Sequence, residues 1–483
     1  MHLIWSVMPS LLYRALRSCA RVTLGLFYRH IEVTGVEHVD PEAPTILAST
    51  HPNSIVDPLL VGLFETRQVT FCARDGLFRV PVFGTLLRAV GAVPIRRRSD
   101  HADGVDNDDA FAACREVLIE GGVISIFPEG KTHARMRVEP LRTGAARMAI
   151  DAERNREARE HWADLGVQIV PVGLNYLVRE AFRSDVHVAF GPAIRVPEVL
   201  AELERGDPSL AEDPRALVRA LTERIGESLR ALAVHVDDEA DERLIAQVTA
   251  IIVDIRDAEG LDASGQSPAE RTALVQRVIA AYRWLEQRDP VRCARLRTRL
   301  IAYIDERRRL GLGGGIETAL QKRRERRFGR EDRSVFGPLA LIITAPLGLI
   351  GVALAILPFA LLRLVLLLGR PSAYRIALTK LLGGMALFGA WYGLLSWAVL
   401  RATGPAIALG FGAALIPLTV FAHRWVIDLR LHRFGLRSNL RRLAQRRRFL
   451  RLKIERRILQ RELAALRTTY LAEHPTRAAI ESS

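Results

Sequence analysis

Residues 336–369 are apolar apart from Arg363. At 1.5 Å per residue, about 20 residues of helix cross the hydrocarbon core of a bilayer, and this run is roughly 34 long. A helix apolar on every side has to be buried in lipid or in a large core, so the run predicts membrane insertion. Pro346, Gly348, Gly351 and Pro358 are placed to break it into a hairpin. Arg363 would then snorkel toward an interface. Two further spans are expected near 378–400 and 404–423. Basic flanks surround these segments: KRRERRFGREDR at 322–333, then Arg370, Arg375 and the tail from Arg424. Only Arg401 charges the opposite side. The positive-inside rule puts the basic flanks in the cytoplasm, which four passes as two hairpins satisfy best. One long helix plus two spans is the competing count, and it would leave one basic flank outside.

The chain has 483 residues, enough for two or three domains. Residues 1–30 read as a basic amphipathic helix. Arg14, Arg17 and Arg21 share a face, and Trp5, Leu11, Leu12 and Leu16 supply apolar surface. That pattern suits a helix in the lipid interface or one packed on the next domain. No small-residue cleavage site follows a clean apolar run, so the segment is not read as a signal peptide. Residues 31–195 alternate short apolar runs with helical patterns and predict an α/β domain, a mixed sheet flanked by helices. Strands are expected at 45–50, 69–72, 123–127, 167–172 and 186–190, and helices at 58–66, 104–120 and 143–158. Asp100 to Asp109 reads as a loop leading into a helix. Residues 196–330 predict a charged helical segment, an insert or cap, with breaks at 260–268 and 311–315. The membrane region spans 336–425. The tail, 426–483, predicts a basic cytoplasmic helix with apolar positions at Leu443, Leu450, Ile454, Leu459 and Leu466. It suits a short coiled coil, a helix on anionic lipid or a solvated helix.

Charge narrows the partners. Lys and Arg number 69 against 54 Asp and Glu, a net +15, and nearly all the cations are Arg. Such a surplus favours anionic partners. The neighbouring apolar runs point to acidic lipid, and no nucleic-acid-binding signature is present. The four cysteines, Cys19, Cys72, Cys114 and Cys293, form no CxxC pair and predict neither a zinc site nor a disulfide framework.

The chemistry concentrates in HPNSIVDP at 51–58. It directly follows a predicted strand, and Pro52 keeps His51 out of helical geometry. An imidazole can take a proton from a hydroxyl, and a carboxylate such as Asp57 can fix its tautomer. Taken alone, Asp57-Pro58 also reads as a helix N-cap and first helical position, with His51 an incidental loop residue. Three further blocks follow in order. GAVPIRRR at 91–98 ends a strand in Arg96, Arg97 and Arg98, whose guanidinium forks suit phosphate. FPEGKTH at 127–133 ends another strand, with Gly130 allowing close backbone approach and Lys131 adding charge beside Glu129. IVPVGLNY at 169–176 is a buried strand ending in a loop. Gly130-Lys131-Thr132 is not a nucleotide P-loop, because Ser125 stands where that motif needs glycine. No HExxH or G-x-S-x-G occurs, which argues against a zinc protease or a serine hydrolase. His101 and His133 lack a metal partner set, so no metal site is expected.

These four ordered blocks resemble the motifs of the glycerolipid (phosphatidate-synthesis) acyltransferases over about residues 25–195. The resemblance implies that His51 deprotonates an acceptor hydroxyl, with Asp57 as its orienter. The oxygen would then attack the thioester of acyl-CoA or acyl carrier protein, with no bound cofactor. It further implies that Asn53, Arg96, Arg97, Glu129, Gly130 and Lys131 bind substrate, with the acceptor phosphate on Arg97 and on Glu129-Gly130. Five residues separate His51 from Asp57 where the family's usual box has four. That longer box is similar to the glycerol-3-phosphate/dihydroxyacetone-phosphate branch. The third block has Lys131-Thr132 where Thr-Arg is usual. The implied activity is membrane-bound O-acyl transfer to glycerol-3-phosphate or a related phosphorylated glycerol, in phosphatidic acid synthesis. A lysophospholipid acceptor, or a catalytically silent lipid-binding protein, is the alternative. The expected location is integral to a membrane, with the active site facing the cytoplasm.

Overall fold

The computed structural model describes residues 10–80, 83–96, 107–133, 135–155, 165–179, 181–206, 213–258, 266–310, 338–370, 376–444 and 446–474. Trp5, Arg97, Arg98, His101, the acidic stretch up to 106, the glycine cluster 311–315, the basic block 322–333 and Arg375 lie outside the described residues. The chain divides into two compact units. The first is Met1–Asp237 with two short later stretches, and the second holds most of the remainder.

The first unit is built on an eight-stranded mixed sheet. Its strands are β1 (His30–Thr34), β2 (Thr45–Ser49), β3 (Val69–Arg74), β4 (Val93–Ile95), β5 (Val123–Ile126), β6 (Gln168–Tyr176), β7 (Asp185–Phe190) and β8 (Ile194–Arg195). Their order is β1-β7-β6-β2-β5-β3-β4, with β8 pairing on β6. Pairs β6–β2, β2–β5, β5–β3 and β3–β4 are parallel, whereas β6–β7 is antiparallel. The central strands are buried on both faces, which is why TILAS and VISI read as continuous apolar runs and not as alternation. β1 was not anticipated. It is an edge strand with one neighbour and exposed ends, so HIEVT tolerates His30 and Glu32 and lacks a core pattern.

Among the described residues, seven helices accompany this sheet: α1 (Leu11–Phe27), α2 (Val56–Phe64), α3 (Phe83–Ala89), α4 (Asp108–Ile119), α5 (Gly144–Arg154), α6 (Val196–Gly206) and α7 (Pro214–Leu232). One core joins α4, α5 and α7 to the sheet. The α7 residues Leu217, Leu221, Ile225 and Leu229 form a buried stripe at helical spacing. Behind α7, the Asn175 side chain donates to Leu232 O at 3.0 Å and accepts from Val234 N–H at 2.9 Å. The α/β unit therefore runs to Asp237 and not to residue 195. The first part of the expected charged segment is its outer layer.

Helix α1 serves two environments. Tyr13, Leu24 and Phe27 are buried, the Tyr13 hydroxyl accepts from Val69 N–H at 3.2 Å, and Arg17 donates to Leu63 O at 2.9 Å. Leu11 (82% exposed), Val22 (64%), Leu12 and Leu26 stay outside. Arg17 turns inward, away from Arg14 and Arg21, so the three arginines do not act as one face. All four cysteines are free thiols. Cys72 and Cys114, distant in sequence, bring their sulfurs within 3.6 Å.

The second unit contains α8 (Glu239–Ala258), α9 (Pro268–Arg288), α10 (Pro290–Arg309) and, far along the chain, α15 (Arg446–Glu473). Leu452, Leu459 and Leu466, seven apart, bury one seam of α15 among Leu244, Ile251, Leu285, Leu296 and Leu300. Arg299 bridges Glu455 at 2.9 Å and Glu462 at 2.7 Å. The charged middle segment and the basic tail are thus each other's partners. Leu450 and Ile454, expected on the apolar face, are more than half exposed. The side chain of Leu443 lies outside the described residues.

Between these partners lie α11 (Pro338–Ile343), α12 (Ala345–Gly369), α13 (Ile376–Thr403) and α14 (Pro405–Ala444). Among the described residues, three segments are long and apolar enough to cross a membrane: Ala345–Gly369, Thr379–Thr403 and Pro405–Leu429. The expected hairpin within 336–369 is not formed. Pro346 sits in the first turn of α12, where its missing N–H costs nothing. Gly348 and Gly351 are packing glycines. A Cβ at Gly348 would meet the Trp425 ring at 2.5 Å, and one at Gly351 would meet Ala422 at 2.7 Å and Leu418 O at 2.8 Å. The glycines that looked like breakers admit α14 instead.

Candidate active site

Strands β2 and β5 are parallel neighbours, with Ala48 opposite Ile126. The loops that leave their carboxyl ends, His51 onward and Phe127 onward, therefore start side by side. In open α/β sheets this edge is where ligands bind. The sheet order alone explains why two blocks about 75 residues apart share one site.

The loop after β2 turns tightly. Ser54 takes the left-handed conformation at φ 51°, unusual for a residue with a side chain. Val56 N–H then returns to Asn53 O, and Asp57 N–H to Ser54 O, each at 3.2 Å. Helix α2 begins at Val56, so Asp57 is an early helical residue and not its N-cap. This turn takes up the extra residue of the long box: His51 Nδ1 lies 2.9 Å from Asp57 Oδ2. A carboxylate accepts, so Nδ1 carries the proton and Nε2 keeps its lone pair.

Three donors converge on the fully buried Asp57. Besides the imidazole, Asn53 N–H reaches Oδ2 at 2.6 Å and the Tyr176 hydroxyl reaches Oδ1 at 2.5 Å. Burial first, and then the Asp57 charge, push the Tyr176 hydroxyl well above the usual phenol range, so it remains a donor. The Asn53 side chain is itself buried. It donates to the Tyr28 hydroxyl at 3.0 Å and to Arg179 O at 3.4 Å. Asn53 thus ties down the turn and is not presented to a ligand.

Phe127 stacks on the His51 ring, with centroids 4.1 Å apart and planes 21° from parallel. Glu129 points inward and is 2% exposed. Its carboxylate accepts from His51 N–H at 2.9 Å and from Glu139 N–H at 2.9 Å, and it pairs with His133 Nε2. A buried carboxylate occupied in this way cannot hold an anionic phosphate. The structure gives Glu129 the task of fixing the His51 loop, in place of the phosphate contact the resemblance implied. Gly130 adopts φ +69°, and a Cβ there would crowd Arg142 Cγ at 3.3 Å.

The cations are spread more widely. Lys131 is exposed, with Nζ 3.2 Å from Glu139 Oε2. Burial tends to raise the Glu139 carboxyl, but Lys131, Arg137 and His133 outweigh it and hold the group below the usual range. Arg96 follows β4, two strands from β5, with its backbone tied to the Asn107 side chain at 2.9 and 3.0 Å. Arg97 lies outside the described residues. Arg179 was not foreseen. Its guanidinium donates to Pro52 O at 3.4 Å, beside His51. Tyr28 and Tyr176 were missed as well. The only sequence signal for them was position: Tyr176 closes the fourth block, which continues as strand where a loop was expected. That extension carries its hydroxyl to Asp57.

Residues 30–175 match the family model described as Acyltransferase. An uncharacterized acyltransferase of Schizosaccharomyces pombe is 22% identical over 302 residues, covering 45% of this chain and 43% of that one. Glycerol-3-phosphate O-acyltransferase 1 of Saccharomyces cerevisiae is 32% identical over 138 residues, 29% of this chain and 17% of that one. The chain therefore spans less than half the length of either. A 1-acyl-sn-glycerol-3-phosphate acyltransferase of Borreliella burgdorferi is 26% identical over 197 residues, 39% of this chain and 71% of that one. The chain thus carries an acyltransferase-family domain over residues 30–175, consistent with the glycerolipid acyltransferases its four motifs resemble.

Proposed function

We propose that the chain is a membrane-bound O-acyltransferase of glycerolipid synthesis, moving a fatty acyl group from a thioester to glycerol-3-phosphate or a related phosphorylated glycerol. The observation that carries this reading is the 2.9 Å contact between His51 Nδ1 and the buried Asp57, which leaves Nε2 as the base. Nε2 takes the acceptor hydroxyl proton as the oxygen attacks the thioester carbonyl. The C–S bond then breaks, and the imidazolium returns its proton to the leaving thiolate. Acyl-CoA or acyl carrier protein is the donor, and the chain's own groups supply the acid–base chemistry. Arg96, Arg97, Lys131 and Arg179 are the cations proposed for the acceptor phosphate.

The long His51–Asp57 box, together with the yeast glycerol-3-phosphate O-acyltransferase among the similar proteins, favours glycerol-3-phosphate as acceptor. The greater coverage of the Borreliella protein favours the second reading, a 1-acyl-glycerol-3-phosphate acceptor. Thioester consumption on membranes distinguishes them, with glycerol-3-phosphate, dihydroxyacetone phosphate, lysophosphatidate and neutral lysophospholipids offered in turn. Glycerol-3-phosphate is expected to support the highest rate. A rate with no phosphorylated acceptor above that of water alone would remove the proposal.

Membrane attachment in this reading rests on the apolar helices and on the exposed face of α1, where Leu11, Val22 and Leu26 stand beside Arg14 and Arg21. Helix α15 shares a core with α8 and α10, so it belongs on their side of the bilayer. The segment between them then crosses an even number of times, and two of the three apolar helices complete a crossing. By the positive-inside rule that side is the cytoplasm. Cysteines introduced singly at the exposed Arg295 and Arg461 should react with an impermeant maleimide from the same face of sealed vesicles. Labelling from opposite faces would overturn this topology.

A further inference from the structure

The helical unit is not solid. Helices α8, α9, α10 and α15 line a partly open cavity of about 380 Å³. Packed protein interiors leave few voids larger than a water molecule, so this space is out of scale for a bundle core. Leu285, Leu296 and Leu466 are among the side chains that give it apolar walls. An apolar cavity of about 150 Å³ holds the six carbons of benzene, and in proportion this one takes roughly 15 carbons. Volumes of about 300–1,000 Å³ are those of ligand pockets.

Its polar lining is one-sided. Arg277, Arg297 and Arg467 line the cavity, and no aspartate or glutamate does so among the described residues. All three arginines are half-buried. Arg297 is steadied by Asp241, 3.0 Å away. Arginine's planar fork suits a carboxylate or a phosphate, and a half-buried guanidinium is less screened than a solvated one. Apolar walls sized for one aliphatic chain, with three arginines among the described lining residues, select a molecule with one chain and an anionic head.

We propose that this unit binds one single-chain anionic lipid, its acyl chain between α8–α10 and α15 and its carboxylate or phosphate head on Arg277 and Arg467. The inference uses nothing from the acyltransferase reading. Its test reports binding without turnover, so either can fail alone.

The test is photolabelling of the full-length protein in phosphatidylcholine nanodiscs. Two probes carry a diazirine near the end of a 12-carbon chain: a fatty acid and a 1-acyl lysophosphatidate. The labelled peptides are mapped by mass spectrometry. Label is expected on peptides containing Leu285, Leu296 or Leu466, and dodecanoate should compete at least tenfold better than dodecanol. The better-labelling probe identifies the head as carboxylate or phosphate. Leu296→Trp, which fills the cavity, and the double change Arg277→Gln with Arg467→Gln should each lower bundle labelling at least fivefold. If Leu296→Trp loses its cooperative thermal transition, the arginine variant decides. Label confined to α12–α14, equal competition by dodecanol, or bundle labelling unchanged in the arginine variant would each overturn the proposal.

Discussion

Replacing His51 with alanine is expected to lower the rate of acyl transfer by about 10²- to 10⁴-fold, the usual contribution of a positioned general base. Asp57→Ala should fall in the same range or lower. Asp57 fixes the imidazole tautomer through the 2.9 Å contact, and it also accepts from Asn53 N–H and the Tyr176 hydroxyl. Tyr176→Phe provides a graded version. It keeps the ring and removes one hydrogen bond to a charged group, worth about 1.5–3 kcal/mol. About tenfold or more should be lost from kcat, with little change in acceptor KM. The measurement is steady-state thioester consumption by purified protein in nanodiscs, with the thermal transition recorded in parallel. Full activity in either the His51 or the Asp57 variant would sink the mechanism.

Glu129→Ala should act on stability before chemistry. The change leaves His51 N–H, Glu139 N–H and the His133 ring without their shared acceptor in a buried site. Breaking a buried ionic arrangement from one side costs about 3–5 kcal/mol. For a unit of this size that corresponds to a fall in Tm of roughly 6–20 °C. Scanning calorimetry of the membrane-reconstituted protein checks it. If Glu129 instead held the acceptor phosphate, the variant would keep its Tm and raise only the acceptor KM. That result would return the residue to the substrate. The difference matters because Glu129 belongs to the same motif whichever task it performs, and the motif alone does not say which way its carboxylate faces.

Much of the first unit was legible in the chain because its strands are buried on both faces. TILAS, VISI and VHVAF can hardly be anything but inner strands, and the structure places β2, β5 and β7 within a residue or two of the expected bounds. The edge strand β1 escaped notice because an edge faces solvent and carries no such pattern. Helix α7 was read as part of a charged helical segment, and α15 as a coiled coil, a helix on anionic lipid or a solvated helix. Their apolar stripes are narrow, and a stripe records that a helix is packed without recording against what. The cause is the same for Gly348 and Gly351: a glycine that ends a helix and one that admits a neighbour look alike until the neighbour is known.

The sequence by itself determined the chemistry available at 51–58, the order of the four blocks and the apolar segments suited to a bilayer. Those follow from local chemistry and from periodicity along the chain. The tertiary structure alone decided which residues meet. The parallel pairing of β2 with β5 sets His51 against Phe127 and Glu129, and the extension of β6 brings Tyr176 to Asp57. The left-handed turn at Ser54 closes the five-residue gap between His51 and Asp57. Strand pairing and side-chain direction depend on contacts between residues far apart in sequence, and no local pattern encodes them.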